Sequence, residues 1–276
     1  MAGTLYVVAT PIGNLGDMSA RARETLQNCA LIAAEDTRHT GVLLKHFGIQ
    51  TPQLSLHDNN ERMRTGEIIS HLGAGKSVAL VSDAGTPAIS DPGFELVRAA
   101  AAAGIDVVAV PGPCAAIAAL SIGALPTDRF CFEGFLPARG AARRQRLESL
   151  AQEPRTLVFY EAPHRVRETL EDCAKAFGAS RPATVVREAT KLHETTYRGS
   201  LQELSSAASK DADFARGEIV LLIGGEPQVH LETDLDRVLR VLLAELPLKQ
   251  AAGLAATLSG VRDNEAYKRA LQLKEQ

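Results

Sequence analysis

At 276 residues the chain is long enough for about two domains, and a hydrophobic content of 45% is sufficient for sizeable cores. A net charge of −3 supplies no overall basic footprint for coating nucleic acid, though it leaves room for a local basic site. With no tryptophan and few aromatics, aliphatic residues and alanine must fill the interior, which suits packed α/β layers.

Short apolar, β-branched runs alternate with helical patterns from the N-terminus onward. Strands are predicted at 4–10 (TLYVVAT), 31–36 (LIAAED), 78–83 (VALVSD) and 106–112 (DVVAVPG). Each is followed by a helical run: SARARETLQNC, TGVLLKHFG, GFELVRAAAAAG and CAAIAALSIG. This rhythm predicts parallel strands with right-handed crossovers, covered by helices on both faces. It breaks at 124–146, a stretch rich in proline, glycine and arginine, so a boundary is placed near residue 122. The alternation resumes with strands at 155–162 (RTLVFYEA), 183–190 (ATVVREAT) and 217–225 (GEIVLLIGG). From about residue 230 strands cease, and three short helices are expected. The organisation predicted is therefore 1–122 and 123–228 as two α/β domains, with a helical tail at 229–276.

Four cysteines, Cys29, Cys114, Cys131 and Cys173, form no CxxC pair and no zinc spacing, so a reduced, cytoplasmic, metal-free protein is expected. The opening residues MAGTLYVVATPIG lack the basic region of a leader, and no apolar run approaches membrane-spanning length.

In open parallel sheets, ligands bind beyond the carboxyl ends of the strands. The first four strands lead into TPIGNLGD, EDTRHTG, VSDAGTPAISDPG and PGPCAA. Glycine lets the backbone come close and proline fixes it, so these four loops describe a rigid crevice lined by main chain. Two other features carry less weight. LGAGKSV at 72–78 looks like the end of a phosphate-binding loop, but Ser70 stands where the pattern needs glycine and the motif precedes a strand. No GxGxxG is present. Cys114, at a strand–helix junction, has a position suited to a nucleophile, but a small residue opening a helix beside a ligand is the simpler reading.

Taken in order, TPIGNLGDMS, AAEDTRHTG, VSDAGTPAISDPG, VPGPCAA and FYEAPHR resemble the small-subunit ribosomal RNA methyltransferase I family, of the tetrapyrrole-methylase-like class of S-adenosylmethionine enzymes. The likeness spans nearly the whole chain. It implies two α/β domains with S-adenosylmethionine in the cleft between them, a helix-turn-helix-like tail and a homodimer. It also implies methylation of the ribose 2′-hydroxyl of a cytidine in the decoding region of 16S rRNA. Cys114 and Ala115 depart from the wider class, which often carries Ser or Thr there.

On this reading Asp83 accepts hydrogen bonds from the cofactor, with an Asx-turn as the alternative, while Ala84, Gly85 and Thr86 approach it through their backbone and Pro87 holds the turn. Pro11, Pro113, Cys114 and Ala115 complete the first wall, and Tyr160 and Glu161 face it. The second Ser-Asp pair, Ser90–Asp91, is assigned to capping the following helix. Glu188 and Lys191 are candidates for catalysis, with a structural ion pair as the alternative. Glu35 and Asp36 are assigned to substrate or loop organisation. Arg38, Arg139, Arg143, Arg144, Arg146, Lys249 and Arg262 are the candidates for contact with RNA phosphates. Two rivals remain: a tetrapyrrole C-methyltransferase, which has no need of the basic segment and tail, and a non-catalytic RNA-binding module, which does not account for ligand-shaped loops.

Overall fold

The computed structural model describes residues 2–226 and 232–274, and these two stretches form two compact units. The first unit holds two five-stranded sheets. In the first sheet the order is β3 (Gln53–Ser55), β2 (Leu31–Ala34), β4 (Val78–Val81), β1 (Leu5–Val8) and β5 (Val107–Val110). Every pairing is parallel, as the alternation predicts. Central β4, VALV, is buried at every position because helices cover both faces. One face packs Leu26, Leu44 and Val81 beneath α1 (Ala20–Asn28) and α2 (Thr37–His46). The other packs Ile68, Leu72, Leu80 and Leu96 beneath α3 (Glu61–Gly73) and α4 (Phe94–Ala102).

The second sheet has the order β6 (Phe130–Phe135), β7 (Thr156–Glu161), β10 (Ile219–Ile223), β8 (Pro182–Arg187) and β9 (Thr195–Ser200). Here the expectation of parallel strands fails. β6 and β7 are parallel, but β10 runs antiparallel to both β7 and β8, and β9 runs antiparallel to β8. A short loop joins β8 directly to β9, and so short a link permits only reversal. β7 and β8 are joined through α7 (Val166–Phe177), and β10 fills the slot left between them in the opposite sense.

Leu147 of α6 (Gly140–Ser149), Leu170 of α7 and Leu204 of α8 (Leu201–Lys210) cover one face of this sheet. The last helix of the first βα series, α5 (Ala115–Ile122), covers the other: Ala116, Ala119 and Leu120 pack on Val158, Val186 and Leu222. α5 therefore binds the two sheets into one body. Its alanines permit a close approach, and at Gly123 a Cβ would lie 2.3 Å from the Leu222 side chain. The Thr184 hydroxyl donates to the Gly123 carbonyl at 2.7 Å.

The second unit is helical, as expected: α9 (Glu232–Glu245), α10 (Leu248–Ser259) and α11 (Asp263–Lys274). Leu239, Ala252, Ala255, Ala266 and Ala270 form its core. α10 ends at Gly260, whose φ of 68° makes the left-handed turn into α11. No helix among the described residues is long and apolar enough to cross a membrane.

Candidate functional site

The four βα loops of the first sheet are stitched together at its carboxyl edge. Thr10 and Gly85 exchange backbone hydrogen bonds at 2.8 and 3.1 Å. Gly85 has φ 87°, which glycine adopts without strain. The Thr86 hydroxyl donates to the Pro113 carbonyl at 3.1 Å, tying the third loop to the fourth. The second and third loops interlock: the Asp36 N–H donates to Asp83 Oδ1 at 3.0 Å, and the Asp83 N–H donates to Glu35 Oε2 at 3.3 Å. Asp83 thus serves loop structure with one oxygen while lining a cavity of about 410 Å³.

Of the expected cofactor residues, Asp83, Ala84, Gly85, Thr86, Cys114, Ala115, Tyr160 and Glu161 all line this cavity. Pro11, Pro87 and Pro113 do not; Pro87 is buried behind the lining, and Pro113 contributes the carbonyl that holds Thr86. Across the cleft, the Tyr160 hydroxyl accepts from the Ala116 N–H at the start of α5, 3.3 Å away. Burial pushes the Tyr160 phenol well above its usual range, so it stays neutral. Glu161 is buried; it accepts from the Thr169 hydroxyl at 2.6 Å and pairs with Arg165 at 2.8 Å.

Three further parts of the lining were not expected from the sequence. Asp91 belongs to the cavity rather than to a helix cap. The cap of α4 is instead Glu61, from α3: its Oε1 accepts from the backbone N–H groups of Gly93, Glu95 and Leu96 at 3.0, 3.0 and 3.3 Å. The assignment of Ser90–Asp91 as capping residues is therefore corrected; a buried carboxylate already occupies that helix end. Gly217, Glu218 and Val220 also line the cavity. Because β10 is antiparallel, its N-terminal end meets the C-terminal ends of β7 and β8, which a parallel reading hides. Ile89 and Phe135 complete the rim.

The cavity is acidic. Burial raises the pKa of Glu35; the Asp83 N–H opposes this, and the neighbouring carboxylates Asp91, Asp83 and Asp58 reinforce it. Burial also raises the pKa of Asp91, opposed by the Ser82 hydroxyl and reinforced by Asp83 and Asp58. Carboxylates gathered beside apolar walls favour a bound cation and disfavour an anion.

The catalytic assignment of Glu188 and Lys191 does not fit what surrounds them. Neither lines the cavity. Lys191 Nζ lies 2.8 Å from Glu188 Oε1 and 2.7 Å from Glu218. For Glu188 burial acts upward, but Lys191 and the Glu218 N–H prevail and hold its pKa low. For Lys191 burial acts downward, yet Glu188 and Glu218 prevail and hold its pKa high. A carboxylate of lowered pKa and a lysine of raised pKa are both poor proton acceptors. The alternative of a structural ion pair fits, and Lys191 lies so close over Gly13 that a Cβ there would be 2.3 Å from its stem.

The basic candidates separate. Arg143 is buried, with its guanidinium 2.9 Å from Asp172 and 3.2 Å from Glu168. Its assignment to RNA is corrected, since helix α7 holds it out of solvent. Arg139 is exposed, Arg144 is exposed 3.9 Å from Asp172, and Arg146 pairs with Glu133. Arg38 is exposed and paired with Asp36 at 2.7 Å. Lys249 and Arg262 are exposed in the helical unit. Among the described residues no cluster of side chains could hold a metal ion, and all four cysteines are free.

Comparison with known proteins places these features in context. Residues 4–205 match the model of the tetrapyrrole (corrin/porphyrin) methylases, and residues 229–274 match the RsmI C-terminal HTH domain. The ribosomal RNA small subunit methyltransferase I of Pseudomonas aeruginosa is 56% identical, over 98% of this chain and 98% of that protein. Its counterpart in Escherichia coli O157:H7 is 51% identical over 98% and 95%. Among solved structures, a cobalt precorrin-4 methyltransferase superposes with a TM-score of 0.60 at 19% identity, covering 80% of this chain and 94% of that one. A uroporphyrin-III C-methyltransferase from Thermus thermophilus, complexed with S-adenosyl homocysteine, superposes at 0.56 and 18% identity, covering 80% and 97%.

Proposed function

The chain belongs to the ribosomal RNA small subunit methyltransferase I family, on the tetrapyrrole methylase fold, and from that premise we propose that it methylates the ribose 2′-hydroxyl of a cytidine in the decoding region of 16S rRNA, using S-adenosylmethionine. The observation that carries the reading is the acidic cavity at the joined strand ends of the two sheets. Its residues fit the donor: Asp83, Glu35 and Asp91 favour a sulfonium or ammonium, and the turn at Gly85 admits a ligand close to the main chain.

When bound, S-adenosylmethionine supplies a methyl group already activated on sulfur. The chain's work is then placement and proton removal. Alignment of the hydroxyl with the methyl carbon is worth up to about 7–11 kcal/mol. The cavity carboxylates of raised pKa, Glu35 and Asp91, are better suited than Glu188 or Lys191 to accept the hydroxyl proton. Arg139, Arg144, Lys249 and Arg262, all exposed, serve the phosphates outside the cavity. We place the protein in the cytoplasm as a homodimer; apolar side chains exposed on edge strand β5 (Val108) and on α5 (Ile117) support a second copy. The domain organisation we adopt divides near residue 122 and near residue 228, the second boundary lying outside the described residues. The tetrapyrrole reading has only the shared fold in its favour, since those structures are 19% and 18% identical to this chain.

The test is a methyl-transfer assay with labelled S-adenosylmethionine and small ribosomal subunits from cells lacking this family's mark. Wild-type protein should place one ribose methyl group on a decoding-region cytidine, and Asp83→Ala should not. Cofactor binding without any ribose methylation would sink the RNA reading.

A further inference from the structure

Phe135 is an exposed aromatic side chain, 57% accessible, on the rim of the acidic cavity. Its position is built, not incidental. In a regular strand, residues three apart point to opposite faces. β6 shifts register between Phe132 and Gly134, and as a result Phe132 pairs with Val158 while Phe135 pairs with Tyr160. Both rings therefore fall on the cavity face and both meet Tyr160 edge-on, at centroid distances of 5.0 and 5.6 Å. A bulge of this kind re-aims a side chain beside a site. It depends on Gly134, whose φ is 64° and where a Cβ would lie 3.0 Å from Ser90 Oγ. That close approach joins the two sides of the cleft, and the residues next to it, Ile89 and Phe135, are both exposed rim residues.

Resting on the RNA reading above, we propose that Phe135 is the stacking platform for the base of the nucleotide being methylated, with Ile89 as its apolar neighbour. The cavity carboxylates repel phosphate, so the part of an RNA strand that enters must be the neutral nucleoside, while its phosphates stay outside. A nucleotide can bring its ribose into such a recess only when unstacked from its neighbours, and the energy of that unstacking is recovered by a new aromatic partner. Phe135 offers an apolar ring fixed from behind by Tyr160, whose own hydroxyl is held by the Ala116 N–H.

The experiment compares wild-type protein with Phe135→Ala, Phe135→Leu and Phe135→Tyr in the ribosomal-subunit assay, alongside calorimetric titration of S-adenosylmethionine. Loss of one stacked base is worth about 1–3 kcal/mol, so Phe135→Ala should lower kcat/KM for the subunit by about 5- to 150-fold. The effect should fall mainly on KM, with S-adenosylmethionine affinity unchanged. Phe135→Leu should be impaired, and Phe135→Tyr should restore activity. Unchanged kcat/KM in Phe135→Ala, or failure of Phe135→Tyr to restore it, overturns the proposal. A parallel loss of S-adenosylmethionine affinity overturns it too, by giving the ring to the donor. A wild-type protein that binds S-adenosylmethionine yet methylates no ribose overturns the RNA reading and this proposal together.

Discussion

Replacing Glu61 by alanine should destabilise the protein more than any other single carboxylate removed from α3, although Glu61 does not line the cavity. Its side chain is buried, and one oxygen accepts three backbone N–H groups at the start of α4. Hydrogen bonds to a charged group contribute about 1.5–3 kcal/mol each, but three sharing one oxygen are not additive. Loss of an ordinary cap costs about 0.5–2 kcal/mol, and a carboxylate at a helix N-terminus gains up to about 2 kcal/mol from the dipole. We expect about 3 kcal/mol for Glu61→Ala and about 1 kcal/mol for Glu61→Gln, whose amide oxygen can still accept. For a unit of this size that is a fall of about 6–12 °C in Tm for the alanine variant, read by scanning calorimetry. Asp91 lies two residues before Gly93, so S-adenosylmethionine affinity should fall with it. A loss below about 0.5 kcal/mol, the size of an ordinary surface change, would refute the capping argument.

Arg143→Ala strands Asp172 without its buried partner and should cost about 3–5 kcal/mol in urea unfolding, while leaving the salt dependence of RNA binding unchanged. Arg139→Ala should do the reverse, leaving stability unaltered and reducing the slope of log K against log salt by about 0.7 for each single-strand phosphate it no longer neutralises. Burial raises the Asp91 pKa, so the folded protein binds this proton more tightly than the unfolded chain does. Stability contributed by the protonated form is therefore lost as pH rises from the unfolded value, about 3.9, through the raised one. Asp91→Asn should accordingly melt higher than wild type at neutral pH in the absence of cofactor, converge with it near pH 3 (about one unit below the unfolded value), and bind S-adenosylmethionine more weakly. Gly217→Ala should evict Glu188, since the new Cβ would lie 2.4 Å from its carboxylate; loss of the Lys191 ion pair should follow, with weaker cofactor binding in a calorimetric titration.

The first sheet was legible because its strands are short, apolar and regularly spaced by helices, and local pattern is all that a parallel βα series requires. β3 escaped notice because QLS is brief and half-buried, leaving no periodic signal. β9 escaped because TTYRGS is polar and partly exposed at a sheet edge. The direction of β10 is a property of topology: IVLLI reads alike in either sense, and nothing local says that its N-terminal end faces the cleft. The same limit governed the site. Loops after parallel strands led to Asp83 through Thr86, whereas Glu218 and Phe135 depend on an antiparallel strand and a one-residue bulge. Arg143 looked like one of four equivalent arginines, and only the packing of α6 against α7 turns it inward.

Backbone strain shows why the cavity lies where it does. Among the described residues five non-glycine residues have positive φ: Ala88 (67°), Ser90 (65°), Ala124 (55°), Glu188 (54°) and Thr190 (65°). Four of them form two matched sets. Ala88 and Ser90 flank Ile89, Glu188 and Thr190 flank Ala189, and both central residues line the cavity. A left-handed backbone costs about 1–2 kcal/mol at each such residue, so these loops are retained against a real penalty. They are held by specific contacts: Glu194 Oε2 accepts from the Thr190 N–H at 2.6 Å, the Glu218 carbonyl accepts from the Glu188 N–H at 2.8 Å, and Ser90 Oγ packs on Gly134. Turning the backbone twice within three residues carries Ile89 and Ala189 to the cavity wall, where Ser90 stands beside Ile89. Two loops from different sheets use the same device toward one space, so the strain follows the ligand site and not the connectivity of either sheet.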